Sequence, residues 1–222
     1  MKILVTSGAT REPLDDVRFL SNVSTGATGA ALADALAAHG HAVTLLRGTG
    51  ATGPKAVREV ITFSSTADLE AQLKLRLRTV RFDAVIHCAA VADYKPARVT
   101  RGKMSSYAPT LTLRLVPTPK LLPQLKSWAK PARGTSASVR PPLIIGFKLT
   151  SGADVAARSA AIARLFAAGT VDAAVHNDMT ELSAGRTRPF RAYVAGHPRP
   201  EKLSGIPALA RWLNRFLGAA RL

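Results

Sequence analysis

The chain has 222 residues, and its composition, 47% hydrophobic and 20% charged, is typical of a folded globular protein. No apolar run approaches the roughly 20 residues that a membrane-spanning helix needs, and Cys88, the only cysteine, has no partner for an internal disulfide. The net charge of +17 favours anionic partners, but the basic residues are scattered and aromatic residues make up only 5%, so we expect neither nucleic acid nor a membrane as a partner.

The first predicted elements form a strand–loop–helix–strand unit. Residues 2–6 are a short apolar run that a Ser-Gly pair closes, which predicts a buried parallel strand. Because this strand starts at the second residue, we expect no signal peptide, and the single cysteine suits the reducing cytoplasm, where we expect the protein. After a long polar loop, the stretch TGATG at 25–29 opens an alanine-rich helix that ends near Gly40, and residues 42–46 predict a second strand. Glycines at a helix N-terminus leave N–H groups free for an anion, so this unit predicts a phosphate site.

The rest of the chain continues the alternation of strands and helices. Further strands are predicted over residues 60–63, 84–88, 143–147, 172–176 and 190–194, the last being a candidate edge strand. Helices are predicted over residues 67–78, 119–128, 153–168 and 206–217. This alternation predicts a single nucleotide-binding α/β domain over residues 1–222, with a doubly wound, Rossmann-like and mostly parallel sheet.

Two segments are predicted to leave the main sheet. Between residues 110 and 115, leucines alternate with polar residues, and this period of two predicts a half-exposed antiparallel strand. Residues 97–117 are therefore expected to form a small antiparallel flap or a dimerisation hairpin. The stretch KPARGTSASVRPP at 130–142 predicts a mobile surface loop.

Ligands of a doubly wound sheet bind at the carboxyl ends of its strands. Those ends are Ser7-Gly8, Ala89-Ala90, Phe147 and Asn177, and we expect them to converge on one crevice. Cys88 lies in a predicted buried strand and indicates packing, and the Asp15-Asp16 pair indicates a turn.

A nicotinamide cofactor is one alternative for this crevice, because VTSGATR resembles the start of a short-chain reductase. The glycines at 8, 26 and 29 do not match the compact G-x-G-x-x-G spacing, and no tyrosine is followed by a lysine four positions later. Arg47 after the second strand could accept a 2′-phosphate, so an NADP-dependent reductase remains open. A basic module that binds nucleotides or nucleic acid without catalytic activity is a further alternative.

Five motifs together point to a known family. They are VTSGATREPLDDVRFLSNVSTGATG, IHCAAVADYKP, RGKMSS, GFKL and a strand that ends in HND. In this order, over residues 1 to about 180, the chain resembles phosphopantothenoylcysteine synthetase (phosphopantothenate–cysteine ligase), in the stand-alone type without the flavin decarboxylase domain. The resemblance implies that CTP or ATP activates the carboxylate of 4′-phosphopantothenate as an acyl nucleotidylate, whose acyl carbon the amine of cysteine then attacks. Positioning and charge neutralisation would perform this chemistry, without a protein nucleophile or a flavin.

The resemblance also implies roles for individual residues. Catalysis would rest on Asn22 and on Lys103 of the flap, and Arg18 would reach the substrate of the neighbouring subunit in a homodimer. The residues implied to bind the nucleotide are Gly8, Ser24, Gly26, Gly29, Phe147 and Asn177. Those implied to bind the phosphopantothenate or the intermediate are Arg18, Asn22, Ala89, Ala90 and Asp93. Mg²⁺ is expected to accompany the triphosphate, and no metal ligands are visible in the sequence.

The chain departs from the family pattern at one helix. Bacterial CTP-using members usually carry two lysines before the strand that ends in Asn-Asp, whereas residues 164–169 here read RLFAAG and offer only Arg164. The choice between CTP and ATP is therefore open. Residues 181–222 contribute little to the resemblance.

Overall fold

We describe the computed structural model of the chain over residues 1–107, 109–129, 140–181, 187–197 and 199–220. Of the surface loop predicted over residues 130–142, only 140–142 fall within these ranges. In the part of the chain described, no helix combines the length and the apolar character needed to cross a membrane.

Twelve strands are present in the described residues. In chain order they are β1 Lys2–Ser7, β2 Arg11–Pro13, β3 Phe19–Ser21, β4 Ala42–Gly48, β5 Glu59–Phe63, β6 Ala84–His87, β7 Tyr94–Pro96, β8 Leu115–Pro117, β9 Leu143–Thr150, β10 Ala173–Asp178, β11 Pro189–Val194 and β12 Glu201–Ser204. Eight of them form one sheet in the order β12-β11-β10-β9-β6-β1-β4-β5, in which only the pairings made by β11 are antiparallel. The predicted Rossmann-like, mostly parallel α/β class is confirmed.

The helices flank this sheet. They are α1 Ala27–Ala38, α2 Thr66–Thr79, α3 Leu125–Trp128, α4 Val155–Phe166 and α5 Gly205–Ala219, with 3₁₀ turns at Leu122–Gln124 and Met179–Glu181. The hydroxyl of Ser65 caps α2 by accepting the N–H of Asp68, and the carboxylate of Asp154 caps α4 by accepting the N–H of Ala157.

The core consists of two layers, one on each face of the sheet. Neighbouring residues of a strand face opposite sides, so Ile3 and Val5 of β1 pack under α1 and α5, whereas Leu4 packs under α2 and α3. The leucines of α2 that recur at a spacing of four all pack into the second layer: Leu69, Leu73 and Leu77. Continuous apolar runs in the parallel strands thus follow from burial on both faces.

The periphery differs from the sequence-based expectations in three places. Residues 110–114 form no strand, and the antiparallel pairing in this region joins Leu115–Pro117 of β8 to Tyr94–Pro96 of β7. The loop after β1 contains a short hairpin of β2 and β3 that the sequence did not reveal. The candidate edge strand β11 is covered by β12, which forms the edge of the sheet.

The joint between β1 and α1 depends on close packing at Gly29. A β-carbon at this position would lie 2.7 Å from Cβ and 3.3 Å from Cα of Ser7, distances that force the helix away from the strand. We therefore expect Gly29→Ala to lower the free energy of unfolding by about 1–3 kcal/mol, measured by urea denaturation.

A second helical glycine supplies the matched control. Gly218 in α5 has no atom within 4 Å of an added β-carbon, so Gly218→Ala should be neutral or should stabilise the protein by about 0.5 kcal/mol. Equal effects of the two substitutions would contradict the close approach of α1 to β1.

Candidate functional site

The candidate site lies where the chain order of the sheet reverses. After β1 the chain builds β4 and β5 on one side, and it then returns to place β6 on the other side of β1. Such a reversal opens a crevice at the carboxyl ends of the two central strands. There, the N–H of Ala90 donates to the carbonyl of Gly8 at 2.8 Å, and the N–H of Thr10 donates to the carbonyl of Ala90 at 3.2 Å. The predicted residues Gly8, Ala89 and Ala90 are thus brought together.

The predicted glycines meet at the start of α1. Gly8 and Gly26 have φ values of +84° and +75°, which favour glycine. A β-carbon on either would lie within 2.8 Å of the Ala51 side chain, so these glycines allow the loop after β4 to close over the joint. The first intrahelical bond runs from Ala30 N to the Gly26 carbonyl at 3.0 Å. The N–H groups of Thr28 and Gly29 precede that bond and remain outside the helical ladder.

The first cavity of the crevice has a volume of about 200 Å³ and contains two of the predicted residues, Asn22 and Ser24. Other residues that line it are Arg11, Phe19, Thr49 and Gly50. The side-chain amide of Asn22 donates to the carbonyl of Val91 at 3.1 Å, and Val91 lines the second cavity. Asn22 therefore stands at the boundary between the two cavities.

The second cavity has a volume of about 290 Å³ and contains Ala89, Asp93 and Phe147 from the predicted set. Three cations also line it: Lys120, Lys148 and Arg164. Lys120 forms an ion pair with Asp93, both side chains being mostly exposed. Because the acid is paired and two further cations remain, the lining of this cavity favours an anionic or strongly polar ligand.

Seven predicted residues lie outside the lining of both cavities: the three glycines and Ala90 described above, and Asn177, Arg18 and Lys103. Asn177 is buried in β10, with 8% of its surface exposed, and stands next to Leu149 of β9 in the sheet. Arg18 and Lys103 lie on the loop before β3 and on the flap. The neighbour of Asn177, Asp178, accepts hydrogen bonds from the Thr150 hydroxyl at 2.5 Å and the Gly152 N–H at 2.8 Å, which hold its pKa far below its ordinary value.

Asp15 forms hydrogen bonds with the predicted Arg18 and with Met104, the residue after the predicted Lys103. Its buried carboxylate accepts the N–H groups of Met104 at 3.0 Å, Val17 at 2.9 Å and Arg18 at 2.7 Å, and these bonds lower its pKa. The Arg18 guanidinium donates to Asp15 and to the carbonyl of Met104, each at 3.3 Å. The turn chemistry expected for Asp15 is present, but its bond to Met104, 89 positions away, leaves no local signal in the sequence.

Two titratable side chains at the end of β6, His87 and Cys88, are neutral at physiological pH. Burial lowers the pKa of His87 to about 4, and its Nδ1 is 2.9 Å from the hydroxyl of Thr6. Burial raises the pKa of the Cys88 thiol to about 12, so a thiolate is absent near pH 7. In the described ranges, no three His, Cys, Asp or Glu side chains are grouped so as to hold a metal ion. The crevice therefore offers donors and cations in place of a nucleophile.

Comparison with known proteins gives a consistent result. The family described as the DNA/pantothenate metabolism flavoprotein C-terminal domain matches residues 1–192. The coenzyme A biosynthesis bifunctional protein CoaBC of Thermococcus kodakarensis is 34% identical over 125 residues, which are 56% of this chain and 30% of that protein. The CoaBC protein of Mycobacterium bovis is 42% identical over 105 residues, which are 46% of this chain and 24% of that protein. The chain thus matches less than a third of the length of these curated relatives.

A solved structure shares the fold over nearly the whole chain. The DNA/pantothenate metabolism flavoprotein from Streptococcus pneumoniae superposes with a TM-score of 0.84 at 24% identity and covers 99% of both chains. A Cab2 mutant in complex with phosphopantothenate-cysteine has a TM-score of 0.71 at 17% identity, covering 99% of this chain and 88% of that one.

The bonds of Asp15 predict its effect on the flap. Asp15→Asn removes the negative charge that accepts the Met104 N–H, so we expect amide hydrogen exchange across residues 99–107 to rise roughly tenfold, measured by mass spectrometry of peptides. Glu12→Gln is the matched control, because Glu12 is also buried but accepts bonds from Thr66, at 2.6 and 2.8 Å. Faster exchange of the flap in both variants alike would contradict a specific role of Asp15.

Proposed function

This chain belongs to the DNA/pantothenate metabolism flavoprotein C-terminal domain family, and from that premise we propose that it is a ligase of coenzyme A biosynthesis that joins 4′-phosphopantothenate to L-cysteine. The proposal is supported by the names of its relatives, which are coenzyme A biosynthesis proteins, and by the fold that it shares with a protein whose structure contains phosphopantothenate-cysteine. We propose CTP or ATP as the co-substrate.

The observation that carries the proposal is the position of Asn22 between two cavities. A ligase of this kind must bring the carboxylate of one substrate to the α-phosphate of the other. Asn22 lines the first cavity and donates to the carbonyl of Val91, which lines the second, so one side chain links the walls of the two cavities. A neutral amide donates hydrogen bonds to both anions without adding a charge of its own.

The proposed reaction has two steps that balance. A carboxylate oxygen of 4′-phosphopantothenate attacks the α-phosphorus, the bond between the α-phosphorus and the bridging oxygen breaks, and pyrophosphate leaves. The amine of cysteine then attacks the acyl carbon, loses a proton as the amide forms, and the nucleoside monophosphate leaves as the acyl C–O bond breaks. Both steps pass through states with added charge on oxygen, which donors and cations stabilise.

Individual residues are proposed to serve these steps as follows. Asn22 orients the carboxylate and the acyl phosphate, and Lys103 offsets negative charge when the flap covers the crevice. Phe147, in the wall of the second cavity, packs against the base of the nucleotide. The remaining proposed contacts are backbone and side-chain groups of Gly8, Ser24, Gly26, Gly29, Ala89, Ala90, Asp93 and Asn177.

Mg²⁺ is proposed to enter with the triphosphate. Proteins commonly hold Mg²⁺ through one or two carboxylates together with substrate phosphates, and a cage built wholly from protein ligands is unusual for this ion. The only carboxylate that lines either cavity in the described ranges is that of Asp93, which is paired with Lys120. These residues do not form a metal site by themselves, so no step is assigned to a protein-bound metal.

The proposal is tested by pyrophosphate release from CTP or ATP with 4′-phosphopantothenate and Mg²⁺, with and without cysteine. We expect release of pyrophosphate with at least one nucleotide and the amide product only with cysteine.

Asn22→Asp should lower kcat roughly 100-fold or more, because a carboxylate there repels both reacting anions. Asn214→Asp, on α5 outside the crevice, is the matched control and should keep full activity. If neither nucleotide releases pyrophosphate and the protein binds NADPH, the reductase alternative is favoured.

We further propose that the chain acts as a homodimer in the cytoplasm, without nucleic acid as a partner. Large apolar side chains are exposed on the segment before α1 and on the flap, notably Val17, Phe19, Val23, Tyr107 and Leu111. A second copy of the chain would remove this apolar surface from water. Arg18 lies on the same segment, and its other donors would remain available to the substrate of the partner subunit.

Mixing two inactive variants tests the shared site. If Arg18 acts across the interface, Arg18→Ala and Asn22→Asp subunits that are unfolded together and refolded at equal amounts should recover about a quarter of the wild-type activity. Half of the dimers are then mixed, and each mixed dimer contains one intact site. The control replaces the Asn22→Asp chain by the double variant that also carries Arg18→Ala, which should restore nothing. No recovery with either partner would place the action of Arg18 within its own subunit, or would exclude the dimer if the protein sediments as a monomer.

A further inference from the structure

Arg11 is a partly buried cation without a polar partner. Among the described residues, its guanidinium has no carboxylate within salt-bridge distance and no hydrogen-bond acceptor, and it lies over the ring of Phe19, whose centroid is 4.6 Å from Cζ. A guanidinium carries five donors, and those of Arg11 are not used by any acceptor in the described part of the protein. Such a group in a cavity wall indicates that a ligand supplies the acceptors.

The position of Arg11 is fixed by its surroundings. Its backbone N–H donates to the carbonyl of Ser64 at 2.9 Å, and it stands opposite Ser21 in the β2–β3 hairpin. The following residue, Glu12, is buried and accepts two hydrogen bonds from Thr66, which anchors the hairpin to the start of α2. The guanidinium is therefore presented to the cavity by a strand that is tied to the body of the protein.

The absence of a side chain at residue 50 makes room for the guanidinium. A β-carbon on Gly50 would lie 2.4 Å from Nη2 of Arg11, closer than any non-bonded contact allows, and the φ value of +77° at Gly50 also favours glycine. The loop after β4 thus leaves a space that Arg11 occupies at the wall of the first cavity.

The chemistry of the lining selects an anion. The polar residues around the first cavity are Arg11, Ser21, Asn22, Ser24 and Thr49, and no carboxylate lines it within the described ranges. The planar fork of a guanidinium matches the oxygens of a phosphoryl group, to which it can donate two parallel hydrogen bonds. We propose that Arg11 binds a phosphoryl group of a substrate in the first cavity, beside Asn22. This inference rests on the proposed function, which offers two sources of that group: the nucleotide and 4′-phosphopantothenate.

Calorimetric titration with separate probes tests the assignment. Pyrophosphate stands for the nucleotide, 4′-phosphopantothenate for the other substrate, and pantothenate for a substrate without phosphate. Arg11→Met keeps an apolar stem against Phe19 and removes the charge, so it should weaken the binding of one phosphorylated probe roughly 10- to 100-fold and leave pantothenate unchanged. Arg11→Lys keeps the charge without the fork and should lose less than Arg11→Met but more than twofold.

The control and the outcomes separate this inference from the ligase proposal. Arg215→Met removes an exposed arginine that pairs with Glu201 at 2.8 Å on the far end of α5, and it should change no affinity. Weaker binding of pyrophosphate assigns Arg11 to the nucleotide, and weaker binding of 4′-phosphopantothenate assigns it to the acid substrate. Arg11→Met affinities equal to those of Arg215→Met for all probes would overturn the inference even in an active ligase. A chain that releases no pyrophosphate, but whose pyrophosphate affinity depends on Arg11, would overturn the ligase alone.

Discussion

The crevice depends on the close approach of α1 to the end of β1. Ser7 contacts the helix at the place where Gly29 lacks a side chain, and its hydroxyl donates to the carbonyl of Gly26 at 2.9 Å. This approach brings the start of α1 to the carboxyl end of β1 and lets the loop after β4 close over Gly8. The glycines thus serve packing first, and any contact with phosphate would come from the N–H groups that this packing orients.

Two buried carboxylates in the segment after β1 then hold the edges of the site. Glu12 anchors the β2–β3 hairpin through Thr66, and Asp15 anchors the flap through Met104. The hairpin presents Arg11 and leads to Asn22, whereas the flap presents Lys103. Because a carboxylate accepts several N–H donors at once, each acid fixes a segment that has little hydrophobic core of its own. The long polar segment between β1 and α1 therefore positions both edges of the site, because it carries both of these anchoring carboxylates.

The sequence predicted the elements that carry a local signal. Continuous apolar runs marked β1, β4, β6, β9 and β10, and the leucine spacing of α2 marked its buried face. The short strands β2, β3, β7 and β12 were missed because they have three or four residues and exist only through pairing with distant partners. The alternation at 110–115 suggested a strand, but period two describes only which residues could share a face, and the ladder with β7 extends no further than Leu115.

The sequence motifs identified part of the candidate site. They did not identify the cations that other parts of the chain bring to the cavities. Asn22, Ser24, Ala89, Asp93 and Phe147, which belong to the motifs, line the cavities. Lys120 and Lys148 were not singled out, because a lysine in a loop or at a strand end looks like any solvated lysine until the fold places it at a cavity. The net charge of +17 gave the same limited signal: it indicated anionic ligands without saying which cations meet them. With His87 and Cys88 held neutral by burial, those cations and the neutral donors are the polar groups that the crevice presents to a ligand. Their positions depend on the anchors that hold the hairpin and the flap in place, and in a site built from fixed charges the positions decide which ligand fits.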